Sequence, residues 1–167
     1  KAVVADMDIM GQTLREGLPE LGLELSEDRQ KTLCAFGQAV VKQNEVMNLT
    51  AITEPAQVAK LHLLDSISLL TLADLRGKKI IDVGCGAGFP GVPLQIACPE
   101  AKVTLLDSLG KRMTWLEGFL PQIGVHPQAI LTARAEEAVA SRREQYDYAT
   151  SRAVARLNIL LELTAPY

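Results

Sequence analysis

Asp82-Val83-Gly84-Cys85-Gly86-Ala87-Gly88-Phe89-Pro90-Gly91 is the stretch whose reading settles the architecture. It grows out of Lys79-Ile80-Ile81-Asp82-Val83, a short apolar run that reads as a buried strand, and its alternating glycines place it at a strand-to-helix turn. Glycine there lets the backbone adopt positive φ and lets a ligand lie against main-chain N–H groups that no Cβ covers. A nucleotide-like cofactor is the direct reading. Gly86-Ala87-Gly88-Phe89-Pro90-Gly91 also satisfies the dinucleotide pattern, so the loop alone is ambiguous.

Downstream, residues 102–106, 129–132 and 146–151 are further short apolar runs that read as buried strands. Helical stretches lie between them, residues 111–123 being the clearest, with Ser108 as its expected cap and Gly124 as its stop. Strands alternating with helices at this spacing predict right-handed crossovers and a parallel α/β sheet covered on both faces. A last helix is expected over residues 154–163. Only four strands are visible, fewer than a doubly wound sheet usually carries, so C-terminal strands are expected to be missing from the chain.

Upstream of residue 76 the apolar spacing is helical, as in Met7, Met10, Leu14 and Leu18, then Leu33, Phe36 and Val40. Ser26 is the expected N-cap of a second helix running to about residue 44. Thr53, with Pro55 in the first turn, should start a third, with Val58, Leu61, Leu64 and Ile67 on one stripe. Residues 48–53 read as an ordered loop. The expected organisation is an N-terminal helical region over residues 1–75 and an α/β domain over residues 76–167.

The 167 residues carry 17 Lys and Arg against 20 Asp and Glu, a formal net charge of −3, and 48% are hydrophobic. That composition builds a core and argues against disorder as the main state. Ser68, Thr71 and Asp74 interrupt the greasiest stretch, so no membrane span is expected. Cys34, Cys85 and Cys98 lack metal or redox spacing, which predicts no zinc site and fits the reducing cytoplasm. The mild acidity gives no global attraction for nucleic acid and leaves only local basic clusters to bind it.

Two acids help to choose the cofactor. Asp82 precedes the first glycine and Asp107 ends the second strand, where an acid holds ribose hydroxyls. A carboxylate beside the loop repels a diphosphate, whereas S-adenosylmethionine has no phosphate and offers an ammonium, a sulfonium and a ribose diol. The methyl donor fits better. The bland readings are glycines that serve only tight packing and an Asp107 that merely precedes a helix.

At this point the chain resembles a known family. The glycine loop, Leu105-Leu106-Asp107-Ser108-Leu109 with Lys111-Arg112, Arg134-Ala135-Glu136, Ser151-Arg152-Ala153-Val154-Ala155, and upstream Asn48-Leu49-Thr50 with His62-Leu63-Leu64-Asp65-Ser66 are together similar to the small-subunit rRNA guanine-N7 methyltransferases, also called glucose-inhibited division protein B. The resemblance covers about residues 26–167. It implies a Rossmann-like class I S-adenosylmethionine-dependent methyltransferase fold, with methyl transfer to N7 of a guanine in 16S rRNA of the small ribosomal subunit and S-adenosylhomocysteine as product. It implies cofactor contacts at Gly84, Phe89, Asp107, Ala135, Glu136 and Arg152, beside the Asp82, Gly86 and Gly88 that the loop chemistry singles out. Arg134 and Arg152 are the expected catalytic residues, since an Arg addresses the Hoogsteen edge of guanine or the flanking phosphates.

Beside Arg134, the residues Lys111, Arg112, Arg142, Arg143 and Arg156 would extend a local basic rim for the RNA backbone, and Asn48 and His62 would reach over the cofactor cleft to substrate from the helical cap. His62 and the rim charges each have an ordinary structural alternative, a satisfied helix histidine and a solvated face. Trp115 reads as core packing. Two other functions share these motifs: a nicotinamide- or flavin-binding oxidoreductase, and an inactive cofactor- or RNA-binding fragment.

Overall fold

The computed structural model describes residues 2–152 and 165–167, so the expected helix over 154–163, with Arg156, lies outside the described residues. The chain divides into two compact units, Lys1–Asp74 and Leu75–Tyr167.

The first unit is helical. Helix α1 (Ala2–Glu20) contributes Met10, Leu14 and Leu18 to its core, and α2 (Glu27–Met47) contributes Leu33, Phe36 and Val40. Ser26 caps α2 as expected, its hydroxyl accepting from the Arg29 N–H at 3.3 Å. Asn48 closes the helix in the left-handed conformation, φ 50°. The next helix departs from expectation at both its cap and its face. Glu54, not Thr53, caps α3 (Pro55–Val58), its carboxylate accepting from the Ala56 and Gln57 N–H groups at 3.1 and 2.9 Å. The chain then winds as a π-helix over Ala59–Leu64 before α4 (Asp65–Ile67) and a 3₁₀ turn, Ser68–Thr71. A π turn takes in an extra residue, so the buried stripe shifts. Leu63 is buried in place of Leu61, which is 49% exposed.

The second unit is a four-stranded parallel sheet in the order β3-β2-β1-β4. Strand β1 (Lys79–Val83) and β2 (Lys102–Asp107) are buried beyond their first residues. Strand β3 (Ala129–Thr132) and β4 (Tyr148–Thr150) are shorter and only partly covered, and among the described residues each has a strand on one side alone. They are not the fully buried strands their composition suggests. Order 3-2-1-4 is the doubly wound arrangement, which reverses between β1 and β4.

Alternation along the strands sorts the two faces. Ile81, Val83 and Leu106 pack with Ala138 of α7 (Ala135–Arg142) and with Tyr167. Asp82 and Leu105 face the other way, against Gly91 at the start of α5 (Gly91–Ala97). Helix α6 (Gly110–Phe119) runs into a 3₁₀ turn, Leu120–Ile123, that stops at Gly124 in the left-handed region, φ 70°. Its N-terminus carries no Ser108 cap: the residue before the helix is Leu109, whose N–H is taken by Asp107 Oδ1 at 2.8 Å. Trp115 is half-buried and stacks on Phe119 of the same helix with ring centroids 5.7 Å apart.

Candidate cofactor site at the strand ends

The carboxyl ends of all four strands carry the residues that the sequence singles out, and open parallel sheets bind ligands on that edge. After β1, Gly84, Gly86 and Gly88 adopt φ of 67°, 56° and 106°, which only glycine holds without strain. Gly84 and Gly86 are partly open to solvent, while Gly88 and Phe89 turn inward and a cis peptide bond joins Phe89 to Pro90.

Two carboxylates fasten this loop at its two ends. Asp107 Oδ2 accepts the Gly86 N–H at 2.8 Å, and Asp82 Oδ2 accepts the Gly91 N–H at 2.8 Å. Asp107, 7% exposed, stands at the end of β2. Asp82 does not flank the cleft as the sequence suggests. It is 0% exposed and lies beneath the loop, between β1 and the first turn of α5. Burial drives its carboxyl well above the usual carboxylate range, against the opposing pull of the Gly91 amide and Arg152, with Asp107 raising it further. The Thr150 hydroxyl favours the charged form weakly, yet its own acceptor is the Ile81 carbonyl at 3.5 Å, and among the described residues Asp82 Oδ1 has no hydrogen-bond partner. Of the two acids, only Asp107 keeps any exposure on this side.

After β3, Arg134 is exposed and extended, and Ala135 and Glu136 form the first turn of α7 with no side-chain cap. The Glu137 and Ala138 amides return to the Arg134 carbonyl at 3.1 and 3.0 Å, which leaves the Ala135 and Glu136 amides as the ones ahead of the helical ladder. After β4, the Ser151 hydroxyl donates to the Val83 carbonyl at 2.8 Å and the Arg152 guanidinium sits 5.8 Å from the centroid of the Phe89 ring, within cation–π range. The pairing of Arg152 with Phe89 joins two residues that sequence reasoning treats separately.

On α6, Lys111 is exposed, whereas Arg112 is half-buried and inclines over the glycine loop. Cys85 is 3% exposed, and burial, then Asp82 and Asp107, push its thiol well above the usual range, which makes it a packing residue and no nucleophile. In the helical unit, Asn48 is exposed, but His62 is 8% exposed and its Nε2 is 2.7 Å from the Thr50 hydroxyl. That contact gives His62 a partner within its own unit, where it ties the Asn48–Thr50 loop to the π-helical stretch. Tyr167 escapes sequence reasoning altogether: its hydroxyl donates to the Ala135 carbonyl at 2.6 Å and so buttresses the turn after β3. Partners 32 residues apart leave no local signal.

Among the described residues no group of three or more His, Cys, Asp or Glu is placed to hold a metal ion, and no helix is long and apolar enough to cross a membrane.

Comparison with known proteins gives one consistent result. The sequence model of the family described as rRNA small subunit methyltransferase G matches residues 29–167. A protein named Ribosomal RNA small subunit methyltransferase G from Alkaliphilus metalliredigens is 43% identical over 157 residues, spanning 92% of this chain and 66% of the relative. Proteins of the same name from Desulfitobacterium hafniense and Listeria monocytogenes are 41% and 43% identical, over 95% and 89% of the chain and 65% and 64% of their own lengths. The chain thus spans slightly less than two thirds of these relatives.

Proposed function

Because the chain belongs to the rRNA small subunit methyltransferase G family, we propose that it works in the transfer of a methyl group from S-adenosylmethionine to N7 of a guanine in small-subunit (16S) ribosomal RNA. The observation that carries the cofactor assignment is the clasp between Gly86 N–H and Asp107 Oδ2, which sets a carboxylate beside a bare glycine loop at the topological reversal of the sheet.

The donor set fits the cofactor. Asp107 retains lone pairs for a ribose diol after accepting the Gly86 and Leu109 amides. The amides of Ala135 and Glu136 and the Glu136 carboxylate match an adenine ring and its exocyclic amine. Phe89, with Arg152 on its ring, forms a wall of the same edge. Gly84 and Gly88 complete the loop that lets the ligand close on the main chain. Asp82 supports the loop from below.

S-adenosylmethionine, when bound, supplies an electrophilic methyl group on a sulfonium. Guanine N7 has an in-plane lone pair and no proton, so no residue of the chain is needed as a general base. The chain's task is alignment, holding the reacting atoms about 3–3.5 Å apart on one line. Arg134 and Arg152 are the residues assigned to the guanine edge and its phosphates, with Lys111 and Asn48 as further RNA contacts. On this reading the protein works on the RNA of the small ribosomal subunit in the cytoplasm.

Two measurements test it. Titration calorimetry should show S-adenosylhomocysteine binding, and Asp107→Ala should weaken it by about 10- to 100-fold, the loss expected for hydrogen bonds to a charged group. Binding of NAD or FAD with none of S-adenosylhomocysteine would refute the cofactor. Mass spectrometry of nucleosides from small-subunit rRNA should show 7-methylguanosine falling when the gene is removed, and an unchanged level would refute the substrate.

A further inference from the structure

Arg112 is the third residue of α6 and is half-buried where its neighbour Lys111 is exposed. Its guanidinium lies across the glycine loop: a Cβ built on Gly86 would find Arg112 Nη1 as its nearest neighbour, at 3.6 Å. Among the described residues no carboxylate forms an ion pair with it. The acid at the end of β2, Asp107, gives one oxygen to the Gly86 N–H and the other to the Leu109 N–H, both at 2.8 Å. A half-buried guanidinium with no anionic partner among the described residues, held over a loop that only glycine can form, is a site for a small anion.

We infer that Arg112 receives the carboxylate of the cofactor's amino-acid arm. This rests on the S-adenosylmethionine reading above and deepens it. A ribose held at Asp107, which is bonded to Gly86, puts the arm on its 5′ carbon within reach of the glycine loop and of the guanidinium over it. That arm carries a single carboxylate, which the planar fork of an Arg meets bidentately. Arg112 then separates nucleosides that bear an amino acid from those that do not, while the adenosine half is held elsewhere. An RNA phosphate is the other anion in reach of this chain's chemistry, but an exposed position such as that of Lys111 suits a backbone contact better than a half-buried one over the loop.

The test is calorimetry on the full chain with three probes: S-adenosylhomocysteine, decarboxylated S-adenosylmethionine, which keeps the amine and lacks the carboxylate, and 5′-methylthioadenosine, which lacks the amino acid. Arg112→Ala should weaken S-adenosylhomocysteine by about 10- to 100-fold and leave the other two within about twofold. Arg112→Lys, which keeps the charge without the fork, should recover part of the loss. A urea midpoint unchanged from wild type checks that the Ala variant is folded; if it is not, the Lys and Gln variants carry the same comparison. Equal losses for all three probes, or undiminished S-adenosylhomocysteine binding, overturn the assignment. Intact probe binding with weakened binding of a small-subunit rRNA fragment moves Arg112 to the RNA. If the wild-type chain binds none of the three probes, the cofactor reading itself is wrong and this inference goes with it.

Discussion

Gly91→Ala puts a methyl group where the structure has no room for one. The new Cβ would fall inside contact distance of Leu105 Cδ2, 2.8 Å from Asp82 Oδ2 and 3.1 Å from Asp82 Cβ. Leu105 and Asp82 are both 0% exposed, so neither can swing into solvent. Overpacking of this kind costs about 1–3 kcal/mol. If α5 slides away to relieve it, the 2.8 Å bond from Gly91 N–H to Asp82 Oδ2 is lost and the second oxygen of that carboxyl joins the first without a partner, a further cost of about 1–3 kcal/mol. The helix-forming advantage of Ala over Gly offsets at most about 1 kcal/mol. The expected net effect is a destabilisation of about 2–4 kcal/mol, or a fall of about 1–2 M in the urea midpoint at a slope of about 2 kcal/mol/M. Urea unfolding followed by tryptophan fluorescence reads it directly. A midpoint equal to or above that of wild type would refute the argument that Asp82 and Leu105 are immobile.

Gly118→Ala should act with the opposite sign, because this exposed α6 glycine has nothing within 4 Å of a built Cβ. The expected gain is about 0.5–1 kcal/mol in urea unfolding, and a loss would mean that α6 is not helical there. Asp82→Asn keeps an acceptor for the Gly91 amide and removes the titrating group. Burial raises the native carboxyl above its unfolded value, so the wild-type contribution is full below the unfolded pKa and is lost as pH rises through the native one. The midpoint of the Asn variant relative to wild type should therefore rise with pH, and a difference independent of pH would refute the burial argument.

The legible parts of this protein are those whose cause is local. The apolar runs of β1 and β2, the glycine loop, the Ser26 cap and the Gly124 stop each depend on neighbours a few residues away, and each stands where the sequence puts it. What sequence reading misses depends on winding or on distant partners. The π turn that exchanges Leu61 for Leu63 changes the period on which the helical stripe is counted. Asp82 looks like a ligand group because it ends a strand beside glycines, but strand alternation turns it under α5, where Gly91 comes from nine residues further on. Among the site residues, the positions on the strand ends could be read from the chain, while the stacking of Arg152 on Phe89 and the support of Ala135 by Tyr167 exist only once the strands are aligned.

Trp115 is the chain's one tryptophan, and the tyrosines, Tyr146, Tyr148 and Tyr167, also lie after Asp74. The helical unit holds no indole and no phenol. Intrinsic emission consequently reports on the nucleotide-fold half alone, whereas circular dichroism sums over both. A mismatch between the two signals during denaturation would thus be the optical signature of halves that melt separately, obtained without attaching a dye.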